Sequence, residues 1–407
     1  MKYTLYGDGI HDDTSAIQEL IDSGICEVML PAPKAFYLIS RPLELPSNFR
    51  LVLPRFAEIR LAPNSNCVMV KNKMVPDYAK RMDEDVYANP VTAHLWSYID
   101  DYSPDAPCKN IELYGGIWNC NNQHQLPNPE RKMSFSAHEF YGCGMLFYNV
   151  SSFKMSNLTI KDPSQYGVTL DTVSYFTVED ITFDYNDGNP YPVNMDGIHL
   201  DGNCHYGVIR NLKGTCYDDL VALNAHEGSR GDITNITISD IRAEYCHSAV
   251  RLLLVRQKIE NITISNVYGN FYQYCIGFTK YYPGEATGHF DGISINNVYA
   301  AKALPAVKGE FKHPNCCAED SLRLFWFQKE TTVKNVSISH CHRREKTVSQ
   351  EFIRLDSGAK VGNMVLSDIT CENYTDKPYA VICNKGVIDS LSTNNVYNAD
   401  GPIMVNE

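Results

Sequence analysis

The chain has no apolar run approaching the roughly 20 residues that a bilayer-spanning helix requires, so no membrane partner is expected. Its opening residues, Met1-Lys-Tyr-Thr-Leu-Tyr-Gly-Asp-Gly9, contain no apolar h-region, and no signal peptide is legible. The expected location is cytoplasmic, or secreted or periplasmic if a signal has been removed. Positive charge is scarce: 36 Lys and Arg stand against 48 Asp and Glu, a net charge of −12. That balance excludes a nucleic-acid partner, because phosphate neutralisation needs a basic surface. Low-complexity segments are absent. Fourteen cysteines are present, yet they form no CxxC pair and no metal-ligand spacing. They are expected to be reduced and to pack as small hydrophobes.

What the chain does have is repetition. Nine segments share one template: Gly144-Met-Leu-Phe, Gly167-Val-Thr-Leu, Gly197-Ile-His-Leu, Leu220-Val-Ala-Leu, Ala249-Val-Arg-Leu, Cys275-Ile-Gly-Phe, Ser321-Leu-Arg-Leu, Phe352-Ile-Arg-Leu and Ala380-Val-Ile-Cys, starting 23 to 46 residues apart. Alternating aliphatic positions mark a strand with one buried face. In step with it runs a second repeat of strand, polar bend and strand, its bends at Asn157, Asp180, Asn211, Asp240, Asn266, Asn297, His340, Asp368 and Asn395. Asn and Asp tolerate the left-handed conformation such a bend requires. About three short strands per coil make an all-β solenoid, a single-stranded parallel β-helix, read as one domain over 1–407. The sequons at Asn157, Asn235, Asn261 and Asn335 are read as bend chemistry. Asp12 to Gly24 predicts a capped amphipathic helix whose Ala16, Ile17, Leu20 and Ile21 cover the open end, within an N-terminal cap over 1–30. Residues 71–142 are less periodic. They read as a strand pair near 108–120 between long loops that wall a cleft.

Stacked coils turn sequence positions into columns about 4.8 Å apart. Positions two and four of the template are aliphatic, so the other columns face out. Near the middle of the stack they gather Asp196, Asp201, Asp218, Asp219, His199 and Arg251 into one patch. Crowded acids repel, raising one pKa while another carboxylate stays ionised. A glycosidase needs such a pair, a protonated acid for the leaving oxygen and a carboxylate for water or for attack. The same oxygens would also suit Ca²⁺. Tyr166, Tyr274 and Tyr379 flank the acids as candidate platforms for sugar rings or as rung fillers.

Gly7-Asp-Gly-Ile-His-Asp-Asp13-Thr-Ser-Ala-Ile-Gln18 resembles the N-terminal signature of pectate-lyase-like β-helix proteins, which implies a right-handed solenoid. Asn194-Met-Asp196-Gly197, Asp218-Asp219 and Ala249-Val-Arg251-Leu resemble the motifs of glycoside hydrolase family 28, the polygalacturonase family. The resemblance implies Asp218 as general acid, Asp196 and Asp219 as the pair that activates water, and Arg251 and Asn194 as substrate-binding residues. It implies inverting hydrolysis. No cofactor or metal is expected. Two departures stand out. The family's Gly-His-Gly is missing, and the nearby His226 follows Asp219 too soon. Leu253 replaces the lysine that helps hold a uronate carboxylate in the family. His199 and Asp201 lie in the same patch and are expected to bind or orient substrate. Arg323 and Arg354 continue the arginine column, either for an anionic sugar or as balance for Asp320, Glu351 and Asp356.

The leading expectation is therefore a glycosidase of polygalacturonase-like type acting on an oligo- or polysaccharide. The alternatives are a polysaccharide lyase or uronate epimerase, and a non-catalytic carbohydrate-binding solenoid. The oligomeric state is not legible.

Overall fold

The computed structural model describes residues 3–75, 106–125, 143–185, 195–282, 284–304, 307–308, 311–312 and 323–407. Asn194, most of the predicted cleft-wall loops, Asp320 and the start of the Ser321 segment lie outside the described residues. The chain divides into two compact units, Met1–Val208 with Glu227–Arg230, and Ile209–His226 with Gly231–Glu407.

The first unit shows how a coil is built. Three parallel stacks run side by side. Glu27–Met29 pairs with Phe49–Val52, which pairs with Cys108–Tyr114. Tyr37–Ile39 pairs with Glu58–Leu61, then with Ile117–Asn119. Leu43–Leu45 pairs with Val70–Asn72. All three stacks continue onto one long strand, Met145–Lys161, which turns through every face. Bends at Asn149, Ser152 and Asn157, each at positive φ, let it do so. Val168–Asp184 repeats it in register. The expected strand pair near 108–120 is thus a coil of the solenoid, with each strand pairing to neighbouring coils.

The second unit repeats the plan. Ile233–Cys246, Lys258–Phe271, His289–Lys302, Thr332–Glu345, Lys360–Asn373 and Val387–Asn398 stack in parallel. Beside them lie the shorter rungs Asp219–Asn224, Ser248–Leu253, Ile276–Thr279, Phe325–Phe327, Ile353–Leu355, Ile382–Asn384 and Met404–Asn406. Period-two alternation fills the interior: Ile236, Ile262, Ile293 and Val336 form one buried column, and Ile238, Ile264, Ile295 and Ile338 the next. Full burial of each such side chain stabilises by about 1.5–3 kcal/mol. Among the described residues one pairing is antiparallel, Val307–Lys308 with Phe311–Lys312. The fold is the all-β parallel β-helix that the repeats predict.

All nine predicted bend residues adopt positive φ, from 52° at His340 and Asn395 to 61° at Asn157. Their side chains also bond from coil to coil. Asn266 Nδ2 donates to Asp240 Oδ1 (2.9 Å), Asn297 Nδ2 to Asn266 Oδ1 (2.6 Å) and Asn395 Nδ2 to Asp368 Oδ1 (2.8 Å). Among the sequons, Asn157, Asn235 and Asn261 are left-handed bends; Asn335 instead donates to Asp291.

The helix Thr14–Ile21 buries Ala16, Ile17 and Ile21, while Leu20 is only half-buried. Its start differs from a simple cap. Asp13 turns its carboxylate to the Tyr6 and Gly7 N–H groups, and Asp12 accepts from the Thr14 N–H. Gln18 closes the strand edge beneath, donating to the Glu44 carbonyl and accepting from the Glu44 N–H. Gly24, at φ 85°, follows the helix end. Of the twelve described cysteines, all free, ten are buried.

Two rungs slip from their predicted register. Ile276 and Phe278 pair with Phe325 and Phe327, so Trp326 takes the outward position assigned to Arg323. Ile353 pairs with Ile382, one residue later than the Ala380-Val-Ile-Cys template. In both places consecutive apolar side chains leave no alternation to fix the face.

Candidate functional site

In the first unit, Thr169 pairs with His199 at the third template position, as predicted. The turn after Ile198–Leu200 carries Asp201, and the nearby 227–230 turn carries Glu227. Four groups converge there. His199 Nδ1 lies 2.7 Å from Asp196 Oδ2, while Nε2 lies 3.0 Å from Glu227 Oε2 and 3.3 Å from Asp201 Oδ1. The ring stacks on Tyr166 at 3.9 Å and 9° and is 1% exposed. Burial pulls the imidazole pKa down, but the three carboxylates override it and hold it well above 6.5. Behind them Asp171 is fully buried. Burial, then the Asp201 charge, pushes it up to about 8, against hydrogen bonds from Ser229 and Thr172.

In the second unit the cluster forms where three rungs begin. Asp219 pairs with Ser248 in register, and Ala222 with Arg251. Asp219 Oδ1 accepts from the Ser248 hydroxyl and from Tyr274 OH (3.1 Å), and Arg251 Nη1 stands 3.4 Å from Oδ2. Asp218 Oδ1 lies 3.3 Å from His247 Nδ1. Asp218 is 5% exposed and Asp219 1%, whereas the Arg251 side chain is 17% exposed and sits over the Tyr281 ring. Burial, then Arg251 and Asp218 in opposite senses, leaves Asp219 above the ordinary carboxylate value. Burial depresses His247 to about 4 despite the Asp219 charge beside it, so the imidazole is neutral at pH 7.

The predicted site residues therefore fall into two sets: Asp196, His199 and Asp201 in the first unit, and Asp218, Asp219 and Arg251 in the second. Two residues went unnoticed in the sequence, Glu227 and His247. The imidazole beside the Asp pair comes from Cys246-His247-Ser248. His226 instead approaches Gln257 and Tyr282. The register Asp219–Ser248 makes His247 the neighbour of Asp218. A column read one place earlier in the template would have shown it.

Several candidates prove internal. Tyr166 serves His199, Tyr274 serves Asp219, and Tyr379 lies under the buried Arg343 guanidinium at 4.4 Å. All three are buried and none is a sugar platform. Arg354 contacts Glu351 directly, and Arg323 Nε is 3.9 Å from the same oxygen. These two arginines thus act as charge balance for Glu351. Leu253 is buried with Val255 and Tyr282.

No protein-family model matches the chain, and no curated protein matches it in sequence. Solved structures do. PfbA, a surface adhesin of Streptococcus pneumoniae, superposes with a TM-score of 0.63 at 16% identity, over 99% of this chain and 90% of the adhesin. The Yersinia enterocolitica family 28 exopolygalacturonase gives 0.52 at 13% identity, over 96% and 77%. A mutant tailspike protein of E. coli bacteriophage HK620, in complex with a pentasaccharide, gives 0.55 at 13% identity, over 99% and 63%. At these identities the likeness is one of fold. It is the parallel β-helix fold that the repeats predict. No described helix is long and apolar enough to cross a membrane.

Proposed function

We propose that this protein is a glycoside hydrolase acting on an oligo- or polysaccharide, with Asp218 and Asp219 as its acid–base pair. The observation that carries the reading is the pair itself: two adjacent buried carboxylates, one against a neutral imidazole and one against an arginine. Burial and mutual repulsion oppose two full charges and push Asp219 above the ordinary carboxylate value, the direction that favours keeping a proton on the pair. That proton passes to the glycosidic oxygen as the bond to the anomeric carbon breaks. The ionised carboxylate of the pair takes a proton from the water that attacks the anomeric carbon, so the new C–O bond replaces the broken one and the pair regains its proton. Ser248, Tyr274 and Arg251 hold Asp219 in one orientation, which keeps the pair preorganised. Arg251, the most accessible member, donates to substrate hydroxyl or carboxylate oxygens. The carbohydrate reading gains support from the fold neighbours, one an exopolygalacturonase and one holding a pentasaccharide.

The deciding experiment is product analysis on a panel of neutral and acidic glycans, wild type beside Asp219→Asn. New reducing ends that fall by about 10²–10⁴-fold in the variant support hydrolysis. An unsaturated, ultraviolet-absorbing product would move the protein to the lyases. Saturable glycan binding without any product would overturn catalysis in favour of an adhesin-like role, as PfbA is a surface adhesin.

A further inference from the structure

The cluster around His199 plays no part in that mechanism, and its geometry is that of a metal centre. We propose that His199 Nε2, Asp201 and Glu227 bind a divalent first-row transition ion of the Zn²⁺ or Mn²⁺ kind, with Asp196 orienting the histidine from behind.

Three observations carry this. The first is convergence. One nitrogen and two carboxylate oxygens, all buried, lie within 4.8 Å of one another. The second is His199 Nε2 itself. It is fully buried with carboxylate oxygens at 3.0 and 3.3 Å, yet neither approach has hydrogen-bond geometry. A nitrogen aimed between two carboxylates, rather than at either, points to a common ligand. The third is the support behind the ring. Nδ1 meets Asp196 at 2.7 Å, leaving Nε2 as the metal-facing nitrogen, and Tyr166 fixes the ring plane. A carboxylate–histidine–metal relay of this form orients a ligating imidazole and raises its basicity.

The backbone holds the donors equally firmly. His199 sits in a rung paired to Val168–Asp184. The Glu227 carbonyl accepts from the Gly202 N–H at 3.3 Å. Gly228 follows at φ 56°, where a Cβ would come within 2.4 Å of the Asp201 carboxyl carbon. The turn bearing Glu227 is thus pressed against Asp201 in a way that only glycine allows. Charge points the same way: three carboxylates face one imidazole, an imbalance a divalent ion corrects. A set of one nitrogen and two oxygens suits Zn²⁺ or Mn²⁺. Ca²⁺ requires six to eight oxygens and is disfavoured. Three protein ligands would leave a position open for water or a substrate oxygen.

The test measures ion binding and is independent of the hydrolase reading. Chelator-stripped chain is dialysed to equilibrium against Zn²⁺, Mn²⁺ or Ca²⁺, and bound metal is measured by elemental analysis. The expected result is one Zn²⁺ or Mn²⁺ per chain, held in preference to Ca²⁺. Affinity should fall about 100-fold or more in His199→Ala and in Glu227→Gln, and about 10–100-fold in Asp196→Asn. His247→Ala, altering the other buried group of His and Asp, should leave that binding unchanged. Glu227→Gln keeps the side-chain shape and decides the matter if His199→Ala fails to fold. The proposal is overturned if the wild-type chain binds no ion, if Ca²⁺ is preferred, if folded Glu227→Gln binds like wild type, or if His247→Ala abolishes binding.

Discussion

Replacing Asn297 by alanine and, separately, by glycine tests why the bends are built from Asn and Asp. Asn297 sits at φ 57° and donates from Nδ2 to Asn266 Oδ1 at 2.6 Å and to Tyr268 OH at 3.3 Å. Alanine loses both bonds and must hold a left-handed backbone, which costs an ordinary L-residue roughly 1–2 kcal/mol. The bonds are part-buried, so their loss adds about 1 kcal/mol. Glycine loses the same bonds but adopts positive φ freely, and it adds roughly 0.5–1 kcal/mol of unfolded-state entropy. Alanine should therefore cost about 2–3 kcal/mol and glycine about 1–2 kcal/mol. Urea unfolding followed by far-ultraviolet circular dichroism reads the difference as a larger midpoint loss for alanine. If Asn297→Ala is as stable as Asn297→Gly, or more so, backbone conformation is not what selects these residues, and the argument for all nine bends fails.

Other perturbations follow from the same geometry. Phe278 is fully buried, stacked on Phe327 at 4.5 Å and edge-on to Phe290 at 5.4 Å. Its replacement by alanine should cost about 3–5 kcal/mol, whereas Tyr299→Ala, at a residue 46% exposed, should stay within about 1 kcal/mol in the same urea titration. Gly228→Ala should destabilise by about 2 kcal/mol or more in a thermal melt, since it combines a positive φ with a clash on Asp201. Between pH 4 and 6.5 the folded state leaves His247 neutral while the unfolded chain protonates it. Stability should fall as pH drops through that window, by about 3 kcal/mol in total, and His247→Gln should flatten the slope. Asp171 has the opposite sign. Its folded value of about 8 lies above 3.8, so its contribution is lost as pH rises between them, and Asp171→Asn should remove that loss.

The fold was legible because two local rules repeat. An Asn or Asp between two β-branched runs has few ways to sit, and each coil uses the same one. Where a small residue precedes an alternating run, as at Gly167 and Gly197, the register follows directly. It fails where the run is apolar throughout. In Leu324-Phe-Trp-Phe327, and again at Val381-Ile382, every side chain is compatible with the interior, so the choice of face depends on the neighbouring coils. The site was legible to the same depth. Asp196, His199, Asp201, Asp219 and Arg251 lie on or beside rungs, at template positions whose columns can be read. Glu227 lies in a turn, where no period places it, and only the packing of Gly228 on Asp201 delivers its carboxylate to His199. His247 occupies the joint between two strands, one place ahead of Ser248, and becomes a partner of Asp218 through register alone. Charge adds what sequence spacing cannot. Burial holds His247 neutral, while three carboxylates favour on His199 a proton that a metal ion at Nε2 would displace. Two buried histidines on one scaffold are thus prepared for different work, one beside an acid pair that must keep a proton and one within an acid cluster that calls for a cation.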